Sequence, residues 1–191
     1  MWKLITQRLR TPRTTLSVEE LLADKGLNEG TPDQTLVQSW NRLRRTAFGG
    51  SVHIRHVDTG SCNACEWELT ALLNPVYDIQ RLGIDFVASP RHADVLVVTG
   101  GLTRNLAEAL QLTYEATAHP KAVLAIGACA CGTGLIGRTY AQQGDVALSV
   151  PVLASVSGCP PQPADIIRGL IEVATKLEEA RVKHGHGTPA I

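Results

Sequence analysis

From residue 51 onward the apolar positions follow two alternating rhythms. Residues 52–57, Val52-His53-Ile54-Arg55-His56-Val57, place apolar side chains at every second position, the period of a half-buried strand. Residues 84–87 repeat the signal briefly. Residues 94–99, Asp94-Val95-Leu96-Val97-Val98-Thr99, are a near-continuous β-branched run, as in a strand buried on both faces of a parallel sheet. Residues 123–126 and 152–156 give two more strands. Helical spacing fills the intervals. Residues 66–73 stop at Asn74-Pro75, since the residue before proline is pushed out of the helical region. Residues 103–118 stop before His119-Pro120, and a closing amphipathic helix runs from Pro163 or Ala164 to residue 180. Such alternation predicts an α/β domain over residues 49–180, an open, mostly parallel sheet with helices on both faces.

Upstream the rhythm breaks. Turn signals at Pro12, Gly26, Gly30 and Pro32 separate short helical stretches, so residues 1–48 are expected to form an extended N-terminal arm that wraps a partner or the domain, too broken to carry a core. Residues 1–11 set Trp2, Ile5 and Leu9 on one side of a short amphipathic helix, with Lys3, Arg8 and Arg10 elsewhere. That pattern suits an anionic membrane surface or a partner, against the plainer reading of a frayed polar terminus. Ser17-Val18-Glu19-Glu20 resembles a capping box. A second helix would hold Leu36, Val37, Trp40 and Leu43, with Arg42, Arg44 and Arg45 on its flank, before Gly49-Gly50. The tail, residues 181–191 with His184-Gly185-His186, reads as disordered.

Composition narrows the classes. At 191 residues, 44% hydrophobic and 19% charged, the chain suits one globular domain with tails, and with 4% aromatics its core should be aliphatic. Eighteen basic residues against eighteen acidic ones leave no net charge, hence no electrostatic reason to expect a nucleic-acid partner. No apolar run approaches the ~20 residues that span a bilayer, and the N-terminus lacks the apolar stretch and cleavage site of a secretory signal. A cytosolic compartment is expected. There, five cysteines serve as ligands or free thiols rather than disulfides.

Four cysteines share an address. Cys62 and Cys65 form a Cys-x-x-Cys pair in Gly60-Ser61-Cys62-Asn63-Ala64-Cys65, just beyond the first strand. Cys129, in Ile126-Gly127-Ala128-Cys129, and Cys159, in Ser157-Gly158-Cys159-Pro160, each follow a later strand. Open parallel sheets bind ligands in the crevice outside their strands' C-terminal ends, so distance along the chain is not distance in space. Four soft thiolates suit one [4Fe–4S] cluster. Structural zinc and a bare redox pair are the alternatives. Cys131 is the fifth. In extended backbone it would point the same way as Cys129 and substitute for it, although a small buried hydrophobe is the simpler role.

Other motifs weigh less. Gly132-Thr133-Gly134-Leu135-Ile136-Gly137 fits G-x-G-x-x-G, but the strand ends too early for a dinucleotide turn and no acidic residue stands ~20 positions on. Its glycines are read as letting the loop pack over the cluster. Glu66 and Glu68 open a helix, where carboxylates are favoured by the dipole. One of them, Glu68 by preference, is expected to relay protons or contact a partner. His53, His56, His92 and His119 show no ligand spacing and read as ordinary.

Together, Cys62-Asn63-Ala64-Cys65, Ala93-Asp94-Val95-Leu96-Val97-Val98-Thr99-Gly100 with Thr103-Arg104, Ile126-Gly127-Ala128-Cys129-Ala130 and Gly158-Cys159-Pro160-Pro161-Gln162-Pro163 resemble the cluster-binding small subunit shared by respiratory complex I and membrane-bound [NiFe] hydrogenases. The likeness covers roughly residues 50–175. Complex I members carry adjacent cysteines, whereas Cys-x-x-Cys resembles the energy-converting, formate hydrogenlyase type. The resemblance implies a flavodoxin-like fold, the ligands Cys62, Cys65, Cys129 and Cys159, and a match for Glu68. It further implies a cluster relaying electrons between a ferredoxin-like iron–sulfur subunit and a [NiFe] large subunit, with membrane-embedded subunits as further partners and this chain held peripherally on the cytoplasmic side of the membrane. Thr133, Gly101 and Gln162 depart from common family residues around the cluster. A complex I-like subunit feeding quinone is the nearest alternative, and a zinc-stabilised interaction module is the one from another class.

Overall fold

The computed structural model describes residues 34–183. The expected helix at residues 1–11, the capping box at 17–20 and the residues from 184 on lie outside the described residues. In chain order the elements are α1 (Gln34–Phe48), β1 (Val52–Asp58), α2 (Ala64–Ala71), β2 (Ile84–Phe86), β3 (Val95–Thr99), β4 (Leu102–Thr103), α3 (Arg104–Ala116), β5 (Ala122–Ile126), β6 (Gln142–Gly144), β7 (Ala154–Val156) and α4 (Pro163–Lys183).

Five strands pair in parallel in the order β2-β1-β3-β5-β7, while β4 and β6 form a small antiparallel pair. Leaving that small pair aside, the chain goes from β1 to one neighbour and then returns to the other side. This is the flavodoxin-like order, with its switch point between β1 and β3. β3 and β5 are buried along their whole length, as apolar runs flanked by strands on both sides require.

The two faces of the sheet carry separate cores. On one, Val52, Ile54, Val95, Val97, Leu124 and Ile126 pack with Trp40 of α1, Leu69 of α2 and the Ile166, Leu170, Val173 stripe of α4. On the other, Leu96, Val98, Val123 and Ala125 pack with Leu110 of α3 and with Val146 and Val150. Helices on both faces are thus observed.

The N-terminal boundary differs from expectation. α1 lies inside the stretch read as a wrapping arm, yet the compact unit begins at Gln34 rather than at residue 49. Trp40 explains this: it is 3% exposed and its Nε1 donates to Leu82 O at 2.8 Å. At the other end of α1, Arg181 Nη1 donates to Thr46 O at 2.6 Å. α4 continues to Lys183, so residues 181–183 are helical rather than part of a disordered tail.

Candidate metal centre

The segment after β1 is stitched to the end of β3. Asp58 Oδ1 accepts from Gly60 N and Ser61 N, both at 2.8 Å, folding the chain back on itself. Thr59 Oγ1 donates to Thr99 O at 2.9 Å and to Gly100 O at 3.1 Å, and Thr103 Oγ1 donates to Thr59 O at 2.8 Å. Asn63 then takes a left-handed conformation, φ 72°, which asparagine tolerates better than most residues, and turns the chain into α2. Cys62 stands just before that turn and Cys65 just after it.

The ends of β5 and β7 are joined in the same way. Gly127 N donates to Val156 O at 2.8 Å and Ala128 N to Gly158 O at 2.7 Å, setting the Cys129 turn beside the Cys159 turn. Gly127 has φ +93°, and a β-carbon built on it would lie 2.6 Å from Cys65 Sγ. The loop after Cys129 folds back so that a β-carbon on Gly134 would lie 2.6 Å from Cys129 Sγ. Glycine is what allows backbone to come this close to sulfur.

Two of the thiols are shifted by their surroundings. Burial, then the Glu66 carboxylate, then Cys62, Cys129 and Cys159 push the Cys65 thiol up to about 12. Burial, then Cys159 and Cys62, push the Cys129 thiol up as well. The loops that carry the four cysteines meet beyond the ends of β1, β5 and β7, with Cys62 and Cys159 exposed and Cys65 and Cys129 half-buried. Such thiols stay protonated on their own, and a bound metal would invert that preference. Soft donors around backbone that leaves no room for a β-carbon fit an iron–sulfur cluster. Among the described residues, no group of three or more His, Cys, Asp or Glu side chains is gathered closely enough to hold a single metal ion.

Cys131 is turned elsewhere. Residues 127–133 form consecutive turns, with Cys131 N donating to Gly127 O at 3.1 Å and Thr133 N to Ala128 O at 2.9 Å, so the extended backbone that would align Cys131 with Cys129 is absent from that turn. Its Sγ lies 3.9 Å from Val156 O and its side chain packs on the second core. The segment from Gly132 leads into β6, not into a helix, so it offers no helix N-terminus to a phosphate. It borders instead a cavity of about 180 Å³ beside Cys129, between Cys131, Arg138, Gln142 and Asp145.

The two glutamates separate sharply. Glu66 turns toward the sheet, where its Oε1 accepts from Thr99 Oγ1. His56 Nε2 is 2.8 Å from that hydroxyl and 3.6 Å from Glu66 Oε1. Glu68, the residue singled out from sequence, is half-buried and makes no hydrogen bond among the described residues. His56, read as ordinary, is thus part of a polar cluster next to Cys65. Burial holds its imidazole below the ordinary value of 6.5, against the pull of Glu66 and Asp58 and together with the push of Arg55. The signal was present: His56 and Thr99 occupy inward positions of β1 and β3, in step with Ile54 and Val97.

The arrangement has relatives. A family model described as NADH ubiquinone oxidoreductase, 20 Kd subunit, matches residues 62–173. The chain is 43% identical to the probable membrane-bound hydrogenase subunit mbhJ of Pyrococcus furiosus, over 68% of this chain and 78% of that one. It is 36% identical to formate hydrogenlyase subunit 7 of Escherichia coli, over 72% of this chain and 54% of that one. Among solved structures, a chain of the membrane-bound sulfane sulfur reductase, an archaeal respiratory membrane complex, superimposes with a TM-score of 0.61 at 27% identity, covering 77% of this chain and 82% of that one.

Proposed function

The chain belongs to the NADH ubiquinone oxidoreductase 20 kDa subunit family, and from that premise we propose that it is the electron-transfer small subunit of a membrane-associated, hydrogenase-type complex. Cys62, Cys65, Cys129 and Cys159 hold one [4Fe–4S] cluster, which accepts and releases single electrons when bound. The observation that supports this reading is the meeting of the cysteine-bearing loops: Gly127 is backed against Cys65 Sγ, and Ala128 N donates to Gly158 O. The protein's own part is to fix the sulfur positions, restrict water and set nearby charge.

The reaction needs partners, because this chain has no other set of thiols to hold a second metal site. A [NiFe]-hydrogenase-like large subunit takes one side and a ferredoxin-like iron–sulfur subunit the other, with membrane-embedded subunits beneath. Exposed apolar side chains near the rim support such docking: Trp67 follows Cys65 by two positions, and Leu135, next to Gly134, is 99% exposed. Among the described residues no helix is long and apolar enough to cross a membrane; attachment is proposed to be peripheral, through partners, on the cytoplasmic side. Glu68, half-buried and without a hydrogen bond among the described residues, is proposed as a partner contact.

Iron and sulfide in a ratio of about one to one, with visible absorption and a paramagnetic signal on reduction, test the cluster; bound zinc instead would make the chain an interaction module. Hydrogen-dependent reduction of the cluster in the intact complex tests the hydrogenase reading. Reduction of quinone without hydrogen turnover would move the chain to the complex I-like branch.

A further inference from the structure

We propose that Thr59 is a positioning residue for the cluster: its hydroxyl locks the start of the Cys62–Cys65 loop onto the end of β3 and so holds that pair of sulfurs at a fixed distance from Cys129. This rests on the electron-transfer reading above and names the residue that sets the spacing of that site.

Three observations carry it. First, Thr59 is fully buried, and all its hydrogen-bonding atoms are used on one short segment, residues 99–103. Its N donates to Thr99 O at 3.0 Å, its Oγ1 donates to Thr99 O at 2.9 Å and to Gly100 O at 3.1 Å, and its O accepts from Thr103 N at 3.0 Å and from Thr103 Oγ1 at 2.8 Å. A hydroxyl has one proton, here shared between two successive carbonyls, so valine at the same volume loses both contacts while serine keeps them.

Second, the fit around the lock leaves no slack. A β-carbon on Gly100, at φ +79°, would lie 2.5 Å from Ser61 N, and one on Gly60 would overlap the Thr103 methyl group. Ser61 N is held in turn by Asp58 Oδ1 at 2.8 Å, and Cys62 is the next residue.

Third, the lock closes a ring of contacts that passes through the paired cysteines. Thr99 is in register with Ile126 across β3 and β5, Gly127 follows Ile126, and a β-carbon on Gly127 would lie 2.6 Å from Cys65 Sγ. Cys62 and Cys65 are thus tied to β5 from two sides, through Thr59 and through Gly127, and Cys129 stands two residues beyond Gly127. Two attachments fix a separation that one leaves free.

The test uses the full-length chain loaded with iron and sulfide, with Leu110→Ala as a control that loosens the second core away from the lock. Thr59→Val is expected to lower the iron bound per chain and to shift the reduced-state paramagnetic spectrum of the cluster that remains, with Thr59→Ser restoring both. Thr103→Val, which removes one of the two bonds to Thr59 O, is expected to act in the same direction to a smaller extent, and it decides the question if Thr59→Val does not fold. Leu110→Ala is expected to lower the melting temperature and leave iron content and spectrum unchanged. Wild-type iron content and spectrum in Thr59→Val and Thr103→Val, or an equal loss in Leu110→Ala, overturns the inference while leaving the electron-transfer reading intact. A wild-type chain that takes up neither iron nor sulfide removes both.

Discussion

Gly127 and Cys65 face each other across the mouth of the sheet, one ending β5 and the other opening α2, with 2.6 Å between the sulfur and the point where a β-carbon would stand. Gly127→Ala must therefore strain the backbone, held at φ +93°, and displace the sulfur. The strain alone costs about 1–3 kcal/mol. Both a lower melting temperature and a reduced iron content per chain are expected. Full iron content in this variant would mean that Cys65 is not pinned there.

Single serine replacements sort the thiols. Cys62→Ser, Cys65→Ser, Cys129→Ser and Cys159→Ser are each expected to abolish the intact cluster, whereas Cys131→Ser keeps it, because Cys131 is packed toward Val156 and the second core. Visible absorption and the reduced-state paramagnetic signal measure both. A bleached Cys131→Ser beside an intact Cys159→Ser would reverse the ligand assignment.

Acid should weaken the fold through His56. Its folded pKa lies below its unfolded value near 6.5, so in the window beneath 6.5 the unfolded chain binds a proton that the folded ring refuses. That contribution is present above the unfolded value and is lost as pH falls through the window. His56→Gln, which keeps a donor for Thr99 but does not titrate, should flatten the decline of melting temperature between about pH 7 and pH 5. Parallel curves for variant and wild type would show that His56 contributes nothing to acid sensitivity.

Helix α1 is part of the packed unit, and Trp40 is its anchor. Trp40→Ala removes a buried side chain and leaves Leu82 O without its donor, at a cost of about 3–5 kcal/mol. Urea unfolding of the full chain provides the measurement. A loss under about 1 kcal/mol would return residues 34–48 to the status of an arm.

The strands were legible because their side-chain period is two and their interiors are β-branched: residues 94–99 and 123–126 match β3 and β5 to within a residue. The strand ends themselves placed the cysteine-bearing loops on one edge of the sheet. Two features were not legible, for the same reason. Trp40 is buried through Leu82, far along the chain, and no local pattern in residues 34–48 announces that contact. The choice between Glu66 and Glu68 depends on where α2 starts. Reading its start at residue 66 instead of Ala64 left open which carboxylate faces inward, and only Thr99 and His56, on two other strands, decide it.

β3 supplies no cysteine, yet it stands between β1 and β5. To bring Cys65 opposite Gly127, the chain leaving β1 must bridge the tip of an intervening strand, and the bonds from Thr59 to Thr99 and Gly100 are its pier. The span of that bridge is set by residue count as much as by residue type. One residue added between Asp58 and Asn63 would leave every donor in place and still hold the first pair of sulfurs out of reach of the other two.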